Sequence, residues 1–218
     1  AFPFKKGVKK YEYPALEPYR PVSPVHMVKK QTEQAHLICG FEGYSGAHEG
    51  RYAEKLLAVA LGGNMSSRMF LHVREEKGLA DYISTSTDYF QDTGIISTKA
   101  GVDVNRIPLA VEAIVYEYQK AFETDVSEAE LKKAKAYIKG KMMLRLEDTE
   151  EYAYLIAEQE LLEGKTKSVE EIFALIDAVT VADTTRVAKD LLKEKKLRLA
   201  IIGPYQERES LEKMLRFS

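Results

Sequence analysis

Apolar and polar positions along the chain follow two different rhythms, and the boundary between them outlines the fold. Residues 1–24 follow neither rhythm and hold five of the seven prolines. Proline lacks the N–H that regular ladders need, so this stretch reads as an extended tether, with a domain over residues 25–218. Residues 25–30 and 33–42 then read as two strands joined at Gln31-Thr32. The second, Ala35-His36-Leu37-Ile38-Cys39-Gly40-Phe41, is mostly apolar, the pattern of a strand covered on both faces. His36 within it reads as a satisfied core histidine, and Cys39 as a buried filler.

Helical spacing takes over at residues 49–61, where Tyr52, Leu56, Val59 and Ala60 recur on one face and Gly62-Gly63 ends the run. A second helix is predicted over residues 67–77, with Met69, Phe70 and Val73 facing inward and Gly78 as the stop. Alternation returns at 82–90 and 95–104 around Asp92-Thr93-Gly94, a hairpin pattern. Asn105 and Pro108 suit the start of a helix running to Phe122. Ser127-Glu-Ala-Glu130 is a capping box opening the next helix. Further helices fit 150–163, 168–177 and 181–193, and residues 196–202 form a last strand. Paired strands separated by helical blocks predict an α+β two-layer domain, with a mainly antiparallel sheet covered by helices.

Composition narrows the function classes. The 218 residues include 32 basic and 34 acidic side chains, interspersed, for a net charge of −2. No field for gripping nucleic acid or an anionic membrane results. No apolar run approaches the ~20 residues of a membrane span. The start, Ala1-Phe2-Pro3-Phe4-Lys5-Lys6, has neither an initiator Met nor the apolar core of a signal peptide. The expectation is a segment of a longer polypeptide in a cytoplasmic setting.

The four histidines decide the metal question. A helical zinc site places two His a turn apart with a Glu beside them. His26, His36, His48 and His72 have no second His within a helical turn on either side. His72-Val-Arg-Glu-Glu has one half of an inverted zinc motif and lacks the other, so no zinc site is expected on this chain. Leu61-Gly-Gly-Asn-Met-Ser-Ser is glycine-rich but lacks the Lys-Ser or Lys-Thr of a phosphate loop. Glu75-Glu76 and Glu150-Glu151 read as solvated helix ends.

One stretch carries more. Leu61-Gly-Gly-Asn-Met-Ser-Ser-Arg-Met-Phe-Leu-His-Val-Arg-Glu-Glu-Lys-Gly-Leu-Ala-Asp-Tyr resembles the signature of the second, non-zinc-binding domain of M16 (pitrilysin and mitochondrial-processing-peptidase-like) metallopeptidases. Leu146-Glu147-Asp148-Thr149, Glu160-Leu-Leu-Glu-Gly164, Asp177-Ala-Val-Thr180 and Leu199-Ala-Ile-Ile-Gly-Pro204 agree in order. The resemblance implies the LuxS/MPP-like metallohydrolase fold and half of a clamshell zinc endopeptidase. In that arrangement the other half, a domain or subunit bearing His-x-x-Glu-His, holds the zinc, and an extended peptide lies between the halves. The non-metal half contributes an Arg and a Tyr to the substrate carbonyl. Negative charge builds on that oxygen during hydrolysis, and a guanidinium and a phenol can both donate to it.

Arg74 matches the family arginine. Seven residues on, where the family has its tyrosine, stands Asp81, with Tyr82 one place later. Either a bulge re-aims Tyr82, or Asp81 faces the site and pairs with Arg74. An Asp there would repel an oxyanion, which opens a second reading: a structural or assembly subunit without proteolysis. Arg68 reads as a structural residue holding the Gly-Gly corner. An isolated half would expose its partner face, so homodimerisation is a third expectation.

Overall fold

The computed structural model describes residues 23–205 and 207–217. The tether expected over residues 1–24 falls, except for Ser23 and Pro24, outside the described residues. Five strands form one sheet: β1 Val25–Lys29, β2 Gln34–Gly43, β3 Tyr82–Tyr89, β4 Gly94–Asp103 and β5 Arg198–Gly203. Their order is β1-β5-β2-β4-β3, all antiparallel except the β1–β5 pair. The fold is therefore the expected α+β one, with a mainly antiparallel sheet. The first two strands, joined by a short turn, do not pair. The last strand enters between them, with Leu199 opposite both Val25 and Cys39.

Among the described residues seven α-helices accompany the sheet: α1 Arg51–Ala58, α2 Ile107–Glu123, α3 Glu128–Arg145, α4 Thr149–Glu163, α5 Val169–Ala178, α6 Val181–Leu191 and α7 Arg208–Met214. Reciprocal capping boxes open three of them, through Ser127 and Glu130, Ser168 and Glu171, and Thr180 and Asp183. Each satisfies two amide N–H groups that the first turn would otherwise leave unpaired. Asp103, rather than the expected Asn105, caps the turn before α2 by accepting from the Asn105 amide. The two helices expected around the Gly-Gly corner form, each with a wider π-helical segment that was not foreseen. Val59–Gly63 and Phe70–Glu76 are π-helical turns, each local insertion fixing where the chain leaves the helix axis.

Helices cover one face of the sheet. Leu37, Cys39, Phe41, Ile96, Thr98, Ala100, Val102, Leu199 and Ile201 point into a core completed by α1, α2 and α6. The alternate residues point outward, where no described element covers them: Val28, Ile38, Tyr82, Ile95 and Ile202 are each more than two-fifths exposed. The expectation that β2 is covered on both faces is thus corrected. Its apolar run alternates between a buried and an open side, and Ile38 supplies the apolar character of the latter. His36 is likewise exposed on the open face and not a core histidine.

A polar thread crosses the core. The Tyr118 hydroxyl, fully buried, donates to the Cys39 carbonyl at 2.9 Å and lies 2.7 Å from Thr98 Oγ1, which is 2.8 Å from Thr85 Oγ1. This ties α2 to three central strand residues where Phe41 also meets the Tyr118 ring edge-on at 4.9 Å. Burial pushes the Cys39 thiol up to about 12, so it behaves as an inert apolar side chain. Tyr118→Phe would take one hydrogen-bond partner each from the Cys39 carbonyl and the Thr98 hydroxyl. It should lower unfolding free energy by about 1–3 kcal/mol, measured by urea denaturation.

A second buried group sits at the far end of the sheet. Glu54, on α1, is fully buried beneath the β2–β4 end, with both oxygens 3.4 Å from the Tyr44 amide. A Cβ on Gly43 would collide with its Oε1, so any other residue there would displace the carboxyl. Burial raises the carboxyl from 4.5 to about 7, more than the Tyr44 amide and Tyr89 hydroxyl can offset. A raised carboxyl means the folded chain holds a proton that the unfolded chain has released. Stability therefore falls as pH rises from 4.5 to about 7. The loss through this one group is on the order of 2–3 kcal/mol. Glu54→Gln should flatten that slope and make the variant the more stable form above pH 7 in thermal melts followed across pH.

Candidate functional site at the open end of the sheet

The end of the sheet where β2 and β3 begin gathers the candidate residues. The π-helical turn Phe70–Glu76 carries Arg74, and Gly78, at φ 58°, reverses the chain so that Leu79 and Ala80 bury and Tyr82 enters β3. The Arg74 Nε donates to the Asp81 backbone carbonyl at 2.9 Å, and the guanidinium lies 4.7 Å from the Phe70 ring centroid. Such stacking holds the planar group in place while leaving its edge free. Among the described residues the two Nη groups make no hydrogen bond, and Nη1 is 3.6 Å from the Glu75 carboxylate.

Asp81 is drawn the other way. Its carboxylate accepts from the Gln34 side-chain amide, and its amide donates to the Gly101 carbonyl at 2.9 Å. Neither alternative left open by the sequence describes this arrangement. Arg74 binds the Asp81 main chain and not its carboxylate, and β3 pairs with β4 without a bulge, Tyr82 opposite Gly101. Tyr82 is the first residue of β3 and faces the open side directly.

Gly101 explains how the phenol lies. A Cβ there would collide with Tyr82 Cε1 and stand 2.9 Å from Gln34 Cδ. With glycine, the Tyr82 ring lies across β4 and reaches β2, where its hydroxyl meets His36 Nδ1 at 2.9 Å. The two rings are near-parallel at 29°, with centroids 6.2 Å apart. Register accounts for this reach, because His36, Gly101 and Tyr82 occupy one row across three strands. Arg74, Asp81 and Tyr82 are thus brought together, and His36, Gln34 and Gly101 join them. The strand register was the missing signal for those three, since it cannot be read from the spacing of residues 34, 36 and 101.

Other expected features settle elsewhere. Arg68 does not hold the Gly-Gly corner. It grips Glu130 through Nε at 2.6 Å and Nη2 at 3.0 Å, and the Asp125 carbonyl at 3.1 Å, fixing the start of α3. That grip and the Ser127 amide and hydroxyl hold the Glu130 carboxyl down at about 2, despite an opposing contribution from burial, the largest single effect. His72 turns inward to the buried Glu117, Nδ1 to Oε1 2.7 Å, and away from Arg74's open side. Among the described residues no three His, Cys, Asp or Glu side chains gather as a metal-binding group, so the residues here do not fit a zinc ion. Nor is any described helix long and apolar enough to cross a membrane.

Comparison with known proteins places this arrangement. The model of the peptidase M16 inactive domain matches residues 1–138. The chain belongs to the M16 peptidase family. An uncharacterized zinc protease of Streptomyces coelicolor is 34% identical over 191 residues, covering 88% of this chain and 41% of that protein. The uncharacterized zinc protease YmxG of Bacillus subtilis is 36% identical over 176 residues, covering 81% and 43%. The M16 chain thus spans less than half the length of these curated relatives. A solved M16 inactive domain from Pseudomonas fluorescens superposes with a TM-score of 0.78 at 16% identity, over 88% of this chain and 46% of that one. A protease from Helicobacter pylori gives 0.74 at 23% identity, over 89% and 48%. These two likenesses concern the fold.

Gly101→Ala tests how the M16 chain places its phenol. Both colliding groups are side chains that can swing into solvent. The variant should keep its melting temperature within a few degrees, consistent with a cost below ~1 kcal/mol. Its crystal structure should show Tyr82 displaced from His36.

Proposed function

We propose that this chain is the substrate-binding, non-metal half of a clamshell zinc endopeptidase. Its partner is an N-terminal-type M16 domain or subunit carrying His-x-x-Glu-His, and an extended peptide is held between the two. The observation that carries the reading is Arg74: a guanidinium fixed by one main-chain hydrogen bond and one aromatic face, its Nη groups making no hydrogen bond among the described residues and only a 3.6 Å ion pair with Glu75, at the end of a sheet face that no described element covers. A charge placed in advance, with no reorganisation left to make, is what stabilises a developing oxyanion. Tyr82, in the same cluster and 44% exposed, adds a second donor. The zinc of the other half would supply Lewis-acid chemistry, and this chain's residues hold the peptide carbonyl in place. The uncovered apolar residues Val28, Ile38, Ile95 and Ile202 offer the face on which the two halves and the peptide would meet.

One observation favours the rival reading of a non-proteolytic assembly subunit. The Asp81 carboxylate stands in the same cluster as Arg74, and an anion beside an oxyanion site opposes catalysis. Its bond to Gln34 answers part of this, because it directs the charge toward the Gln34 amide. The two readings separate in one experiment. In the assembled protein, Arg74→Ala should lower turnover of an internally quenched peptide by about 10²–10³-fold, with bound zinc unchanged by metal analysis. Wild-type turnover in the variant, or zinc-dependent hydrolysis by the 218-residue chain alone, would remove the role assigned to this half.

A further inference from the structure

The Tyr82 hydroxyl carries one proton, and the 2.9 Å contact with His36 Nδ1 can be made in two ways. If Nδ1 is bare, the phenol donates to it and has no proton left for anything above the sheet. If Nδ1 carries hydrogen, the imidazole donates to the phenol oxygen and the phenolic proton is free to point outward. A peptide carbonyl can only accept. Tyr82 can therefore serve such a carbonyl only in the second arrangement.

We propose that His36 is a positioning residue for Tyr82: its Nδ1–H donates to the phenol oxygen and presets the phenolic proton outward, toward a main-chain carbonyl above the open face. This rests on the reading of the chain as the carbonyl-binding half. The geometry of the pair accommodates it. Both side chains belong to the open face, and both are exposed, so water can donate to the bare Nε2 and the outward phenolic proton has an acceptor. The near-parallel rings hold the hydroxyl at Nδ1 and not at Nε2. Gly101 is the one residue of the row without a side chain, and it lies directly under the phenol ring. Donation into the phenol oxygen also polarises its O–H, because hydrogen bonds in series strengthen one another. The arrangement moves the phenol one residue along from the position of Asp81, and His36 takes up the orienting work.

The tautomer is directly measurable. Long-range ¹H–¹⁵N spectra of the 218-residue chain, at a pH where the His36 ring is neutral, should show hydrogen on Nδ1 and a bare Nε2. Hydrogen on Nε2 with Nδ1 bare would overturn the proposal. In the assembled protein, His36→Leu should lower kcat by about tenfold, with KM and melting temperature little changed. His36→Asn, whose amide can donate from the Nδ1 position, should restore most of the loss. In a Tyr82→Phe background His36→Leu should cost nothing more, whereas effects that multiply would show that His36 acts independently of the phenol and would sink the idea. Full turnover in Arg74→Ala would instead fail the carbonyl-binding reading, and the tautomer measurement would still decide the His36–Tyr82 arrangement.

Discussion

A sheet buried on one face and left uncovered on the other by every described element imposes the condition under which everything else in this chain operates. α1, α2 and α6 seal the inner side around Leu37, Cys39, Ile96 and Ile201, and α2 is pinned there by the Tyr118 hydroxyl. The outer side keeps Val28, Ile38, Ile95 and Ile202 in water. Hydrophobic burial at about 25 cal/mol per Å² rewards any element that covers such residues, so the bare face is an energetic invitation to a second sheet or an extended chain. The candidate site stands at one end of that face because the row His36, Gly101, Tyr82 does, and Arg74 reaches it from the turn that delivers the chain into β3.

Much of the architecture could be read in the residues because the signals were local. Ser127, Ser168 and Thr180, each with an acid three residues on, fix helix starts through contacts that span one turn. The hairpin of β3 and β4 is equally local. What the residues did not reveal depends on distant partners. The entry of β5 between β1 and β2 requires pairing across 158–174 positions, and no periodicity encodes it. α7 was missed because its seven residues carry a single fully buried side chain, Leu211. The one-sided cover of β2 was misread because Ile38 is apolar on the bare side, where polar residues are the usual choice.

The same distinction divides the site. Arg74 was recognisable from its sequence neighbourhood, and Asp81 and Tyr82 were identifiable as a departure from the family pattern. Their resolution came only from three dimensions. Gln34 takes the Asp81 carboxylate, the Asp81 carbonyl takes Arg74, and the bare backbone of Gly101 lets the phenol cross to His36. The Gln34–Asp81 and His36–Tyr82 contacts join residues that sequence spacing leaves unrelated. The side chain and main chain of residue 81 are thus held by separate neighbours, Gln34 and Arg74.

The placement of β5 also bears on how the chain acquires its structure. The strand that completes the middle of the sheet is synthesised well over a hundred residues after the two strands it joins. Until residues 198–203 emerge, β2 lacks its partner on one edge and β1 lacks the one strand it pairs with among the described residues. Such non-local closure slows folding and leaves strand edges exposed meanwhile. During synthesis β1 must therefore wait, and the nascent chain passes through a stage in which its β2 edge is open to chaperones or to pairing with another copy.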